Sequence, residues 1–129
     1  MIKRIVVLAI ACVAWLAMAA ELTPAAEAEI THLNDYLLAS HCEFNRNGTW
    51  YNAADAVAHL KFKVEFLNSI GELGSSEDFI KKVASESSAS GKPYLVRCTS
   101  AGLVTTSETG PWFRTELARY RDGVKAKPK

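Results

Sequence analysis

The sequence predicts an α+β fold in which a small antiparallel sheet packs against about four helices. Three observations lead to this prediction. Asn47-Gly48 separates two short segments of strand-like composition and is the strongest short signal for a β-hairpin. Apolar residues at helical spacing stand before and after that hairpin. Two cysteines, Cys42 and Cys98, would join the hairpin near 42–51 to a strand near 94–98.

Residues 1–19 have the organisation of a bacterial signal peptide. Lys3 and Arg4 precede an uncharged apolar run that ends in Ala-Met-Ala, the small-residue pattern that signal peptidases cleave. The run is shorter than the roughly 20 apolar residues that a membrane span needs. An uncleaved anchor and a lipoprotein modified at Cys12 are the alternatives. We expect export to the periplasm, cleavage at the end of this segment and no stable membrane insertion afterwards.

Residues 20–129 are then predicted to be a single domain with a basic C-terminal tail of three lysines. The whole chain has 15 basic and 14 acidic side chains, and removal of Lys3 and Arg4 leaves 13 basic ones. This near-neutral balance argues against a nucleic-acid partner, because affinity for nucleic acids comes largely from neutralising phosphates.

Export favours a disulfide between Cys42 and Cys98. A reactive thiol and a metal site are the alternatives, but no Cys-x-x-Cys pair and no histidine at ligand spacing accompanies either cysteine. We therefore predict a structural disulfide, with no bound metal or other cofactor.

The first helix is predicted to begin at Thr23, whose side chain can cap it, with Pro24 in the first turn. His32 falls off the apolar side of this helix and is expected to be solvated. The buried stripe has helical spacing and consists of Ile30, Leu33 and Leu37.

Residues 42–46 and 49–51 are predicted to form the hairpin, and 94–98 a third strand. If the two cysteines lie opposite each other in an antiparallel pair, Arg46 on the first strand faces Tyr94 on the third.

The longest helix is predicted to begin after Asn52, which resembles the first residue of a capping box with Asp55. Phe62 and Phe66 form a second apolar stripe beside the main one, so we expect this helix to be covered on more than one side. The main stripe comprises Val57, Leu60, Val64 and Leu67.

Ser75 and Asp78 predict the cap of a short helix over 79–84, which a serine-rich loop over 85–92 follows. A fourth short strand over 103–105 is predicted to precede the last helix. The inward-facing residues of that helix are Phe113, Leu117 and Tyr120.

An ordered set of motifs carries a resemblance to a known family. The motifs are Cys-x-Phe-x-Arg-Asn-Gly, Ala-x-x-His-Leu-x-x-Lys, Glu-Asp-Phe-Ile, Ala-Ser-x-Ser-Ser-x-Ser-Gly-Lys-Pro-Tyr and Trp-Phe-Arg-x-Glu-Leu. Over residues 33–121 the chain resembles the YfeK family of small exported bacterial proteins, which carry a domain of unknown function. The resemblance implies a periplasmic location, a single domain and no established activity. Relatives are expected to have a histidine shortly after Asn-Gly, where this chain has Thr-Trp-Tyr.

Asp55, His59 and Lys63 lie one helical turn apart and are the best candidates for chemistry, because a carboxylate can orient an imidazole. A small hydrolase would pair His59 with a serine of the 85–92 loop, such as Ser87. The loop has no Gly-x-Ser-x-Gly elbow, so a binding role is favoured over an enzymatic one. Solvation of a helix edge is the structural alternative for all three residues.

A binding site is the preferred interpretation of the polar residues around the hairpin. They would form a cationic patch fringed by Trp50 and Tyr51, suited to an anionic glycan, a peptide carboxylate or a partner protein. Alternatively, Arg46 stacks on Tyr94 and the loop satisfies its own backbone. The candidate binding residues are Arg46, Asn47, His59, Lys63, Ser88, Ser90, Lys92 and Tyr94.

The sequence thus favours a periplasmic binding or interaction module for an unknown envelope protein or glycan. An inhibitor or immunity-type protein that blocks an envelope hydrolase is the alternative. A small hydrolase that uses His59 is the third interpretation.

Overall fold

The computed structural model of the protein describes residues 19–127, which form an α+β fold as the sequence predicts. The predicted signal peptide lies outside the described residues except for its last residue. Within the described part, no helix combines the length and the apolarity needed to cross a membrane. In chain order the elements are α1 (Pro24–Ser40), β1 (Glu43–Arg46), β2 (Thr49–Tyr51), α2 (Ala53–Ser69), α3 (Ser76–Asp78) with a π-helical continuation (Phe79–Ala84), β3 (Leu95–Ser100), β4 (Leu103–Glu108) and α4 (Thr109–Ala126).

The four strands form one antiparallel sheet in the order β2-β1-β3-β4. Phe44 of β1 lies opposite Val96 of β3, which is the register that sets the two cysteines opposite each other. Cys42 and Cys98 form a disulfide with their Cα atoms 4.5 Å apart. The predicted link between the hairpin and the third strand is therefore confirmed.

The hairpin turn has the predicted backbone. Asn47 and Gly48 have φ angles of 53° and 85°. Two successive residues with positive φ are what a type I′ turn requires, and this turn matches the twist of the strands that it joins.

Side-chain caps begin the helices where the sequence predicts them. The hydroxyl of Thr23 accepts the backbone N–H of Ala26 at the start of α1. Asn52 accepts the N–H of Asp55 at the start of α2. Ser75 caps α3 in the same way. Each cap satisfies a backbone donor that has no partner inside the helix. The π-helical continuation of α3 and the extension of β4 to residue 108 are not predicted by the sequence.

The core lies between the helices and the sheet face that carries Phe44, with Tyr94 just before β3. Leu33 and Leu37 of α1 and Leu60 of α2 are completely buried in it. These residues fix α2 against the sheet, and they thereby set which of its faces points outward.

The prediction that α2 is covered on a second side was wrong. Phe62 and Phe66 are 68% and 58% exposed. The elements that pack most closely on α2 are α1, β1 and the π-helical segment, and they lie on the side that carries Ala56 and Leu60. The second stripe is therefore a free apolar surface of the described chain.

The prediction that His32 is solvated was also wrong. Its Nε2 atom lies 3.2 Å from Oε1 of Glu116, and its ring stacks on Tyr120 with the ring centroids 4.1 Å apart. The packing of α4 against α1 buries Glu116 and brings both partners to the histidine.

Candidate binding site

A cleft of about 590 Å³ opens between α2, the β1–β2 hairpin and the 85–92 loop. Its volume falls in the range of ~300–1,000 Å³ that is typical of small-molecule sites. We call it the α2 cleft. It is lined by Arg46, Asn47, Thr49, Tyr51, His59, Phe62, Lys63, Phe66, Leu67, Ser87, Ser88, Ala89 and Tyr94.

Lys63 is a buried cation at the base of this cleft. Only 8% of the residue is exposed, and it follows Ala56 and Leu60 on the inward side of α2. Its Nζ atom donates to the backbone oxygen of Glu86 at 3.1 Å and to the hydroxyl of Tyr94 at 3.2 Å. Burial lowers the pKa of Lys63 to about 8, against the opposing attraction of the Glu86 carboxylate.

His59 lies one turn earlier and is held at both ring nitrogens. The guanidinium of Arg46 contacts Nδ1, and Nε2 lies 3.3 Å from the hydroxyl of Tyr94. Because arginine only donates, Nδ1 is the acceptor and Nε2 carries the proton. Burial, reinforced by the charges of Arg46 and Lys63, lowers the pKa of His59 to about 4, so the imidazole is neutral at pH 7.

The hydroxyl of Tyr94 therefore receives two hydrogen bonds, one from His59 and one from Lys63. Both neighbours act as donors, so its own proton has no acceptor among the residues that the structure describes. Tyr94 is 1% exposed, and burial raises the pKa of its hydroxyl. Tyr94 lines the α2 cleft, so this O–H is available to an acceptor bound there.

Arg46 supplies the second positive charge. Its guanidinium lies over the ring of Tyr51, 5.0 Å from the centroid, and not over Tyr94. The alternative in which Arg46 stacks on Tyr94 is therefore excluded. Trp50 does not fringe the cleft, because alternate residues of β2 face opposite sides of the sheet. The ring of Trp50 instead contacts the guanidinium of Arg97, with the guanidinium carbon 3.9 Å from the ring centroid.

The charge of the cleft is unbalanced. Arg46 and Lys63 line it, and no Asp or Glu side chain is among its lining residues. Asp55 is exposed, and it is not the hydrogen-bond partner of His59, whose ring nitrogens contact Arg46 and Tyr94. The predicted Asp–His–Lys row is thus not a relay. A two-cation cleft with no carboxylate is suited to an anionic group.

The serine-rich loop is fastened to the hairpin turn. The amide nitrogen of Asn47 donates to the hydroxyl of Ser87 at 3.1 Å, and Ser90 donates to the amide oxygen of Asn47 at 2.5 Å. The Ser87 hydroxyl also accepts the backbone N–H of Ala89 at 3.3 Å. These bonds close the rim of the cleft and leave the exposed Ser88 facing it.

The structure brings six of the eight predicted binding residues into one lining, namely Arg46, Asn47, His59, Lys63, Ser88 and Tyr94. Ser90 supports the rim through Asn47 without lining the cleft. Lys92 is exposed and lies outside the lining. The sequence assigns Phe62 and Phe66 to a covered apolar stripe and does not predict that they line the cleft. Their spacing beside Lys63 is the signal that places them at the cleft.

The geometry disfavours His59 as a general base. The lone pair of its Nδ1 atom is occupied by Arg46, and its pKa of about 4 leaves little basicity. No serine hydroxyl of the described chain hydrogen-bonds to this ring. Among residues 19–127, no group of three or more His, Cys, Asp or Glu side chains converges on a metal position.

Comparison with known proteins gives a family. The model of the family of unknown function DUF5329 matches residues 24–121. The uncharacterized protein YfeK of Salmonella typhimurium is 38% identical over 93 residues, which are 71% of this chain and 76% of that protein. No solved structure matches the chain.

Proposed function

The chain belongs to the DUF5329 family of unknown function, and we propose that it is a periplasmic binding module whose α2 cleft takes an anionic group of an envelope ligand. The observation that carries this proposal is the hydroxyl of Tyr94, which accepts bonds from His59 and Lys63 and has a proton to give. A carboxylate or phosphate oxygen is the acceptor that suits it, since charge-assisted hydrogen bonds are the stronger ones.

The charges around that hydroxyl support the same ligand class. Lys63 is buried with two uncharged acceptors as its only hydrogen-bond partners in the described chain, Glu86 O and Tyr94 Oη. The carboxylate of Glu86 attracts this ammonium group but does not hydrogen-bond to it, and burying a charge that lacks a close counter-ion is costly. A bound anion would supply the missing charge and would also meet the guanidinium of Arg46.

The disulfide supports the periplasmic part of the proposal. Cys42 and Cys98 are bonded in the structure, and such bonds persist in oxidising compartments such as the bacterial periplasm. The signal peptide expected over residues 1–19 points to the same compartment.

Calorimetric titration with phenyl phosphate, alongside inorganic phosphate, tests the proposal. We expect saturable binding at one site. Lys63→Gln and Tyr94→Phe should each weaken binding by about tenfold, because each removes a hydrogen bond to a charged group. Near-ultraviolet circular dichroism of each variant checks that the fold is retained.

Arg97→Gln is the matched control. Arg97 lies on the same sheet but pairs with Glu43 at 2.8 Å and stacks on Trp50, outside the cleft. The substitution Arg97→Gln should leave the affinity for phenyl phosphate unchanged. Two results would contradict a specific anion site in the α2 cleft. One is that neither phenyl phosphate nor inorganic phosphate binds. The other is that Arg97→Gln weakens binding as much as Lys63→Gln and Tyr94→Phe do.

A further inference from the structure

An exposed apolar stripe continues from the cleft along α2. Phe62, Phe66 and Ile70 follow one another at four-residue spacing and are 68%, 58% and 53% exposed. Residues at this spacing share one helix face, so the stripe extends for about 12 Å along the helix axis. Phe62 and Phe66 also line the α2 cleft.

The cationic end of the cleft adjoins this stripe directly. Lys63 follows Phe62 in the chain and lies on the neighbouring, inward side of the same helical turn. Arg46 approaches from the hairpin and contacts Nδ1 of His59, whose other ring nitrogen faces the hydroxyl of Tyr94. One end of the site therefore presents two cations and a hydroxyl donor, whereas the adjacent wall presents phenylalanine rings.

We propose that the ligand of the α2 cleft is a single-chain anionic amphiphile, with its head at Arg46 and Lys63 and its alkyl chain on Phe62 and Phe66. This inference rests on the proposed function and adds the ligand class. Its basis is the complementarity of a charged head to the two cations and of an alkyl chain to the exposed rings.

The size of the site favours this occupant over a protein partner. The cleft holds about 590 Å³ and is concave, as small-molecule sites are. A stable protein interface covers roughly 800 Å² on each partner, and its bulk would rest on a broad surface rather than enter such a cleft. An acyl chain needs only a narrow apolar path, which the phenylalanine stripe supplies.

A homologous series of n-alkyl phosphates tests the inference by calorimetry, with each member kept below its micellar concentration. The affinity of the wild-type protein should rise by roughly two- to fourfold per added methylene until the stripe is covered. An n-alkyl carboxylate series identifies the preferred head, and an alkyl glucoside of equal chain length should bind at least tenfold more weakly.

Two variants distinguish binding of the charged head from binding of the alkyl chain. Phe66→Ser should flatten the dependence on chain length and should weaken phosphate binding much less than Arg46→Gln does. Arg46→Gln should weaken every member of the series by a similar factor. Leu103→Ser is the control, because Leu103 is 70% exposed but lies on β4, away from the cleft.

The possible outcomes distinguish failure of the amphiphile inference from failure of the anion site. Phosphate binding that depends on Arg46 but is insensitive to chain length would overturn the amphiphile inference and leave the anion site standing. No binding by any member would refute both. Sedimentation with anionic phospholipid vesicles without binding of monomeric alkyl phosphates would indicate a membrane surface instead, and it would likewise overturn the inference.

Discussion

The ammonium nitrogen of Lys63 lies 3.2 Å from the hydroxyl oxygen of Tyr94, with both residues buried. This contact joins the middle of α2 to the residue before β3. The described chain gives Lys63 no carboxylate within hydrogen-bond distance, and its other partner is a backbone oxygen. Because buried charges are usually paired, we interpret this arrangement as a site prepared for an anion rather than as a device for stability.

Lys63→Met separates these two roles. Methionine keeps much of the volume and removes the buried charge, so we expect the free energy of unfolding to change by no more than about 1 kcal/mol. Phenyl phosphate binding should weaken by about tenfold or more, as in Lys63→Gln. Urea unfolding and calorimetry measure the two quantities, with the exposed Lys92→Met as the matched control. A loss of stability above ~3 kcal/mol with retained binding would assign Lys63 a structural role.

The neutral state of His59 predicts a pH dependence. Its pKa is about 4 in the folded protein, below the ordinary value of 6.5, because of burial and the facing charges of Arg46 and Lys63. Between pH 4 and pH 6.5 the unfolded chain binds a proton at this histidine that the folded chain does not bind. The free energy of unfolding that depends on His59 is therefore highest above pH 6.5 and decreases as the pH falls toward 4. An NMR titration of the ring protons should show a midpoint near 4. A midpoint near 6.5 would contradict the contacts with Arg46 and Tyr94.

Much of the fold follows from local rules that involve few residues. Asn47-Gly48 specifies its own turn, and the caps of α1 and α2 require one side chain each. The pairing of Cys42 with Cys98 then fixes the register of β1 on β3. The register of β1 on β3 and the apolar periodicity of α2 together bring most of the predicted binding residues to one cleft. Most of the candidate site is therefore predictable from the sequence.

The remaining errors concern which neighbour covers a given side chain. The periodicity of Phe62 and Phe66 is that of core residues, yet both side chains are more than half exposed and line an open cleft. The sequence groups Lys63 with the exposed Asp55, although Lys63 is buried on the same side of α2 as Leu60. Lys92 is the last residue of the 85–92 loop, and the direction of its side chain depends on the tertiary contacts of that loop. Apolar periodicity does not contain this information.

The protonation of Lys63 predicts how anion binding depends on pH. Its pKa of about 8 means that the free protein loses the positive charge as the pH rises through that value. The affinity for phenyl phosphate should therefore decrease between about pH 7 and pH 9. Lys63→Arg keeps its charge over this range and should flatten the decrease, even where its absolute affinity is lower. An equal decrease in Lys63→Arg would show that another group is responsible.

The disulfide is expected to supply a large part of the stability. Cys42 and Cys98 are 56 residues apart, and in the loop-entropy model such a link contributes about 4 kcal/mol. The double replacement of both cysteines by serine should lower the free energy of unfolding by about that amount in urea titrations. Thiol titration of the untreated wild-type protein should find both cysteines unreactive until reductant is added. Equal reactivity before and after reduction would contradict the bond.

The most direct test of the anion site is the pKa of the Lys63 ammonium group, measured by NMR with and without saturating phenyl phosphate. We predict a pKa of about 8 in the free protein, because burial opposes the charge, and a clear increase when the anion binds beside it. A pKa that stays at the same value in the presence of the anion would contradict the central claim.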